Sequence, residues 1–128
     1  MILLLNTAQP TCFLSLVDDY KKHEYTWEVG RSLARELHAY IQRQMNQHGW
    51  SWQDIEGIGV YSGPGSFTGL RIGITVVNTA ADALGIPIVG VSGDDWQEAA
   101  LMRLKQGEND RIVLPEYGSA ANITKPRK

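Results

Sequence analysis

Apolar residues come in short β-like runs near the start of the chain and recur at helical spacing further on. Ile2 to Leu5 and Thr11 to Val17 are rich in strand-forming residues, and Asn6-Thr7-Ala8-Gln9-Pro10 between them favours a turn. A second turn at Asp18-Asp19 leads into Tyr20 to Trp27, where Tyr25 and Trp27 alternate with more polar positions. Three antiparallel strands are predicted. From Val29 to His48 the residues Val29, Leu33, Leu37, Tyr40, Ile41 and Met45 fall on one helical face, and Gly49 stands where a C-terminal cap belongs. Ser51 and Asp54 mark a turn or short helical start before a buried strand at Ile58 to Ser62. A glycine-rich loop and an apolar helix ending at Gly85 come next, followed by a short strand over Pro87 to Val91. Ser92 to Asp95 can cap a last helix, with Trp96, Ala99, Ala100 and Leu104 inward and Gly107 ending it. The strand-helix-strand unit in the middle predicts a parallel, right-handed crossover. The expected fold is α/β: a mixed five-stranded sheet with flanking helices in the order βββαβαβα, the pattern of one ribonuclease-H-like or actin-like lobe.

The loop is the most constrained stretch. Gly63-Pro64-Gly65-Ser66-Phe67-Thr68-Gly69-Leu70-Arg71-Ile72-Gly73 holds four glycines in eleven residues. A strand, a tight glycine loop and a helix N-terminus aim free N–H groups and a helix dipole at one spot, which suits an anion. The spacing G-x-G-x-x-x-G is not the dinucleotide fingerprint, however, and no Lys-Ser or Lys-Thr follows as in a P-loop. A structural loop is the better expectation, with Gly65 or a neighbour at positive φ and the helix starting near Ser66 or Thr68.

That helix carries two apolar faces. Leu70, Ile74, Val77, Ala81 and Leu84 form a face of large residues, and Gly69, Ile72, Gly73, Val76, Ala80 and Ala83 one of smaller residues. Arg71, Thr75, Asn78, Thr79 and Asp82 fill the polar stripe between them. A surface helix needs only one apolar face to sit on a sheet. The second is expected to be covered either by the chain's own first helix or by another chain.

Composition narrows the chemistry. With 128 residues, 43% hydrophobic and 20% charged, the chain reads as one globular domain, a lobe over residues 1–107 and a tail over 108–128. Twelve Lys and Arg against 14 Asp and Glu leave a formal charge of −2, no footprint for tight nucleic-acid binding by the domain alone. Apolar runs are too short to cross a bilayer and the N-terminus lacks signal-peptide features, so a cytoplasmic protein with no membrane contact is expected. Cys12, the single cysteine, reads as a small buried hydrophobe. His23, His38 and His48 form no metal-binding pair by spacing and are expected at the surface. Ser66 is not in a G-x-S-x-G elbow. No catalytic residue, metal or cofactor is expected.

The undecapeptide from Gly63 to Gly73 resembles, almost residue for residue, the GPGSFTGLRIG motif of the TsaB (YeaZ) family. That resemblance implies an actin-like lobe and a non-catalytic subunit of the bacterial machinery that makes threonylcarbamoyladenosine beside the anticodon of tRNA. It covers residues 1 to about 105 well and the tail weakly, which suggests a short member without the second lobe. Asn6-Thr7 stands where the family more often has Asp-Thr; the amide is a poor magnesium ligand and is expected to serve the turn. At the start of the first helix Arg31-Ser32-Leu33 replaces His-Ser-Glu.

The implied partner is a catalytic TsaD-type subunit, with a homodimer through the same helices in its absence, an ATPase subunit in the same complex and tRNA engaged indirectly. The implied contact residues are Gly69, Ile72, Gly73, Val76, Ala80 and Ala83, flanked by Leu33, Leu37 and Ile41 of the first helix; Gly63, Gly65, Gly69 and Gly73 shape the loop. Rival readings are a phosphotransferase or peptidase using the glycine loop, and a direct tRNA-binding module. Asn122-Ile123-Thr124 matches a glycosylation acceptor that a cytoplasmic chain would not use, and Lys125, Arg127 and Lys128 make a small basic tail.

Overall fold

The computed structural model describes residues 1–19, 21–28 and 32–117. Its strands are β1 (Ile2–Asn6), β2 (Thr11–Asp18), β3 (Lys21–Glu28), β4 (Gly57–Tyr61) and β5 (Ile88–Val91), and its helices α1 (Leu33–Asn46), α2 (Phe67–Leu84) and α3 (Trp96–Lys105). They form one sheet in the order β3-β2-β1-β4-β5. β1, β2 and β3 are an antiparallel meander, while β4 runs parallel to β1 and β5 parallel to β4. The expected mixed sheet and element order are both present. A 3-10 turn, Trp52–Asp54, fills the position read from Ser51 and Asp54, and the Ser51 N–H donates to the Asp54 carboxylate at 2.8 Å.

Side chains alternate across a strand, so β1, β2, β4 and β5 feed two cores, while β3 packs one face only. Leu3 and Leu5 of β1 join Cys12, Leu14 and Leu16 of β2, Ile58 and Val60 of β4 and Ile88 of β5 beneath α1 and α2. Leu4 of β1 faces the other way and packs with Val17, Val89 and Val91 under Trp96 and Ala100 of α3. Gly59 lets α3 approach: a Cβ there would lie 2.6 Å from the Ala100 Cβ. α1 buries Leu33, Leu37, Tyr40, Ile41 and Met45, all the described residues of the apolar face read from its spacing. Val29, at the head of that pattern, lies outside the described residues.

After α3 the chain does not leave the domain at once. Residues 108–117 run back past β5: Asn78 of α2 donates its Nδ2 to the Val113 carbonyl and accepts the Val113 N–H, both at 2.9 Å. Val113 is buried, and further on the Glu116 N–H donates to the Ser62 carbonyl at 2.7 Å. This part of the tail is therefore anchored to the lobe. The glycosylation-like triplet and the basic residues lie outside the described residues.

Candidate partner-binding face

The glycine loop is closed by the chain's own β1–β2 turn. Asn6 Oδ1 accepts the Ala8 N–H at 2.8 Å, which is the turn role expected for that amide. Ala8 then presses on the loop: a Cβ at Gly65 would lie 2.5 Å from the Ala8 Cβ, and the Ser66 N–H donates to the Ala8 carbonyl at 2.8 Å. The positive φ falls on Gly63, at 130°, where a Cβ would also run into the Glu116 carbonyl. Ser66 caps α2, its Oγ accepting the Gly69 N–H at 3.2 Å. Two of the amides that an anion would use are thus bonded to Ala8 and Ser66.

Thr7 settles what two of the small residues on α2 do. Its buried hydroxyl donates to the Gly69 carbonyl at 2.6 Å. A Cβ on Gly69 would collide with the Thr7 carbonyl, and one on Gly73 with the Thr7 hydroxyl. Gly69 and Gly73 are accordingly buried seats for Thr7, not surface available to another chain. Leu33, Leu37 and Ile41 need the same correction, since they are buried at 8%, 0% and 0% exposure in the chain's own core. A helix with a single apolar face spends that face on its own sheet.

The rest of the small-residue face is open. Ile72, Val76 and Ala80 are half-buried against the edge of the core, and Ala83 is exposed. They floor two shallow grooves on the outside of α1 and α2. The first, of about 340 Å³, is bounded by Ala34, Phe67, Arg71, Ile72 and Thr75, and the second, of about 210 Å³, by His38, Trp52, Thr79, Ala80 and Ala83. Val76 lines both. Aromatic groups mark the two ends: Phe67, 55% exposed, has Tyr117 at 4.4 Å and the Arg71 guanidinium 5.4 Å above its ring, while His38 stacks on Trp52 at 4.7 Å. Aromatic and arginine anchors around a small-residue floor are the composition of a protein-binding surface.

Two further sequence readings meet the structure. Burial pushes the Cys12 thiol up to about 12, leaving an inert thiol as expected. The histidines are not isolated: His23 of β3 and His48 after α1 approach to 4.2 Å between ring centroids, with Trp50 against both. The Tyr25 hydroxyl meets His48 Nε2 at 2.5 Å. Only the register of β3 against the end of α1 brings them together, and sequence spacing carries no sign of it. No group of three or more metal-binding side chains exists among the described residues. No helix there is long and apolar enough to cross a membrane.

A lobe of this topology, with an open helical face and a glycine loop sealed by its own hairpin, belongs to the class that the Gly63–Gly73 motif suggests. The model of the family described as TsaD, tRNA N6-adenosine threonylcarbamoyltransferase, matches residues 27–109, and the chain belongs to that family. Within it the chain is similar to TsaB proteins and, over shorter stretches, to tRNA N6-adenosine threonylcarbamoyltransferases. The Escherichia coli tRNA threonylcarbamoyladenosine biosynthesis protein TsaB is 31% identical over 106 residues, covering 83% of this chain and 43% of that protein. The Bacillus subtilis TsaB is 34% identical over 92 residues, 71% of this chain and 40% of that protein. The solved structure of YeaZ from Pseudomonas aeruginosa superposes with a TM-score of 0.68 at 28% identity, covering 83% of this chain and 49% of that one. The chain thus spans about half the length of these relatives or less.

Proposed function

We propose that this chain is a non-catalytic partner subunit in threonylcarbamoyl transfer to tRNA adenosine, and that it binds a catalytic TsaD-type subunit through the outer face of α1 and α2. The observation that carries the reading is the uncovered floor of Ile72, Val76, Ala80 and Ala83 between the Phe67–Arg71 and His38–Trp52 ends. The relatives named for threonylcarbamoyladenosine biosynthesis supply the process, and the TsaD family match supplies the kind of partner. Without that partner the same face pairs with a second copy. An ATPase subunit joins the complex elsewhere, and tRNA is held by the partner, in keeping with a formal charge of −2 on this chain.

The loop itself supports a non-catalytic reading. Thr7, Ala8 and Glu116 lie against Gly63, Gly65, Gly69 and Gly73, so these glycines are used for close packing within the chain. The test combines this chain with a TsaD-type subunit. Co-elution on size exclusion and stimulated threonylcarbamoyl transfer to tRNA are expected, with no ATP hydrolysis and no proteolysis by this chain alone. Turnover by the isolated chain, or no complex at micromolar concentrations, would contradict the proposal.

A further inference from the structure

The two edges of the sheet are protected differently. β3 carries Lys21, Lys22, Glu24 and Glu28, charges that discourage an incoming strand. β5 reads Ile88-Val89-Gly90-Val91, with no charge of its own. An uncharged edge with free N–H and C=O groups is a template for another strand. The parallel register with β4 turns the peptide groups of Ile88 and Gly90 outward, so these are the ones an added strand needs.

All four are already engaged, three by the returning chain and one by α3. The Ile88 N–H donates to Asn109 Oδ1 at 3.1 Å and the Ile88 carbonyl accepts the Asp110 N–H at 2.8 Å. The Gly90 N–H donates to Asp110 Oδ2 at 2.8 Å, and the Gly90 carbonyl accepts from Arg103 Nη1 at 2.9 Å. Three of these four partners are side-chain groups standing in for the backbone of a strand. Arg103 is itself held by Asp110 Oδ1 at 2.5 Å and Glu108 Oε1 at 2.7 Å. Val113 fills the space over Gly90, where a Cβ would lie 2.6 Å from its Cγ1.

We infer that Arg103, Asn109 and Asp110 form a side-chain cap that blocks strand addition at β5, and that uncapping it lets β5 pair antiparallel with β5 of a second copy of this chain. A self-pairing strand is two-fold symmetric, and Ile-Val-Gly-Val presents no like charges to itself. This interface lies at the sheet edge and is separate from the α1–α2 face.

Hydrogen exchange at the Ile88 and Gly90 amides, followed against protein concentration beside sedimentation equilibrium, tests it. In the Arg103→Ala/Asp110→Ala protein at low concentration, Gly90 N–H exchange should accelerate about tenfold or more over wild type. At high concentration the Gly90 amide should regain protection as the mass rises beyond that of wild type, while the Ile88 amide, still bonded to Asn109, stays protected throughout. Asp110→Asn keeps an oxygen for the Gly90 N–H and should match wild type in protection and mass. Three results would overturn the cap: a double variant that unfolds while Asp110→Asn stays folded, one that exposes the Gly90 amide yet gains no association, or identical behaviour of the two variants.

Discussion

Replacing Gly69 by alanine is expected to destabilise the chain by about 3 kcal/mol, read as a lower urea midpoint at constant slope. Glycine to alanine inside a helix ordinarily gains about 1 kcal/mol. Here the added methyl meets the Thr7 carbonyl, and the helix can avoid it only by breaking the 2.6 Å bond from the Thr7 hydroxyl to the Gly69 carbonyl. Overpacking and the lost buried bond together exceed the helix gain. A raised or unchanged midpoint would show that the β1–β2 turn is free to move aside, and the account of the loop as a closed structural device would fail.

Leu37→Ala should cost a similar amount, about 3 kcal/mol, because it opens a cavity beneath α1 where the leucine is 0% exposed. Ala83→Arg on the exposed side of α2 should change stability by less than about 0.5 kcal/mol. Thermal or urea unfolding of the two variants separates core from surface. If Leu37→Ala unfolded like wild type, α1 would not be the lid of this core, and the division of the two helices into a buried and an open face would be wrong.

Most of the architecture was legible because periodicity reports burial directly. The unbroken apolar run of Leu3, Leu4 and Leu5 is the imprint of a strand covered on both faces, and the helical recurrence from Leu33 to Met45 that of a helix covered on one. The proposed binding face was only partly legible. Gly69 and Gly73 look the same in sequence whether Thr7 or a foreign helix fills the space beside them, and the hairpin that brings Thr7 there is more than sixty residues away, at a separation of 62 from Gly69. Leu33, Leu37 and Ile41 carried a usable signal: they belong to the single apolar face of α1, and one face cannot serve both the core and a partner. The return of residues 108–117 past β5 was not legible, since the side-chain bonds of Asn78, Arg103, Asn109 and Asp110 to backbone groups follow no period. Its ionisation shows how specific the arrangement is: burial raises the Asp110 carboxyl, but Arg103 and the Gly90 N–H outweigh it and hold it below the usual carboxylate range.

The central claim is that the outer face of α1 and α2 binds a TsaD-type subunit, and Val76 lines both of its grooves. Isothermal titration of that subunit with wild-type and Val76→Asp protein, each checked for its fold by circular dichroism, tests it most directly. A central apolar contact replaced by an unpaired charge should weaken binding by about thirtyfold or more while the lobe stays folded. A folded Val76→Asp protein that binds the subunit as tightly as wild type would contradict the account.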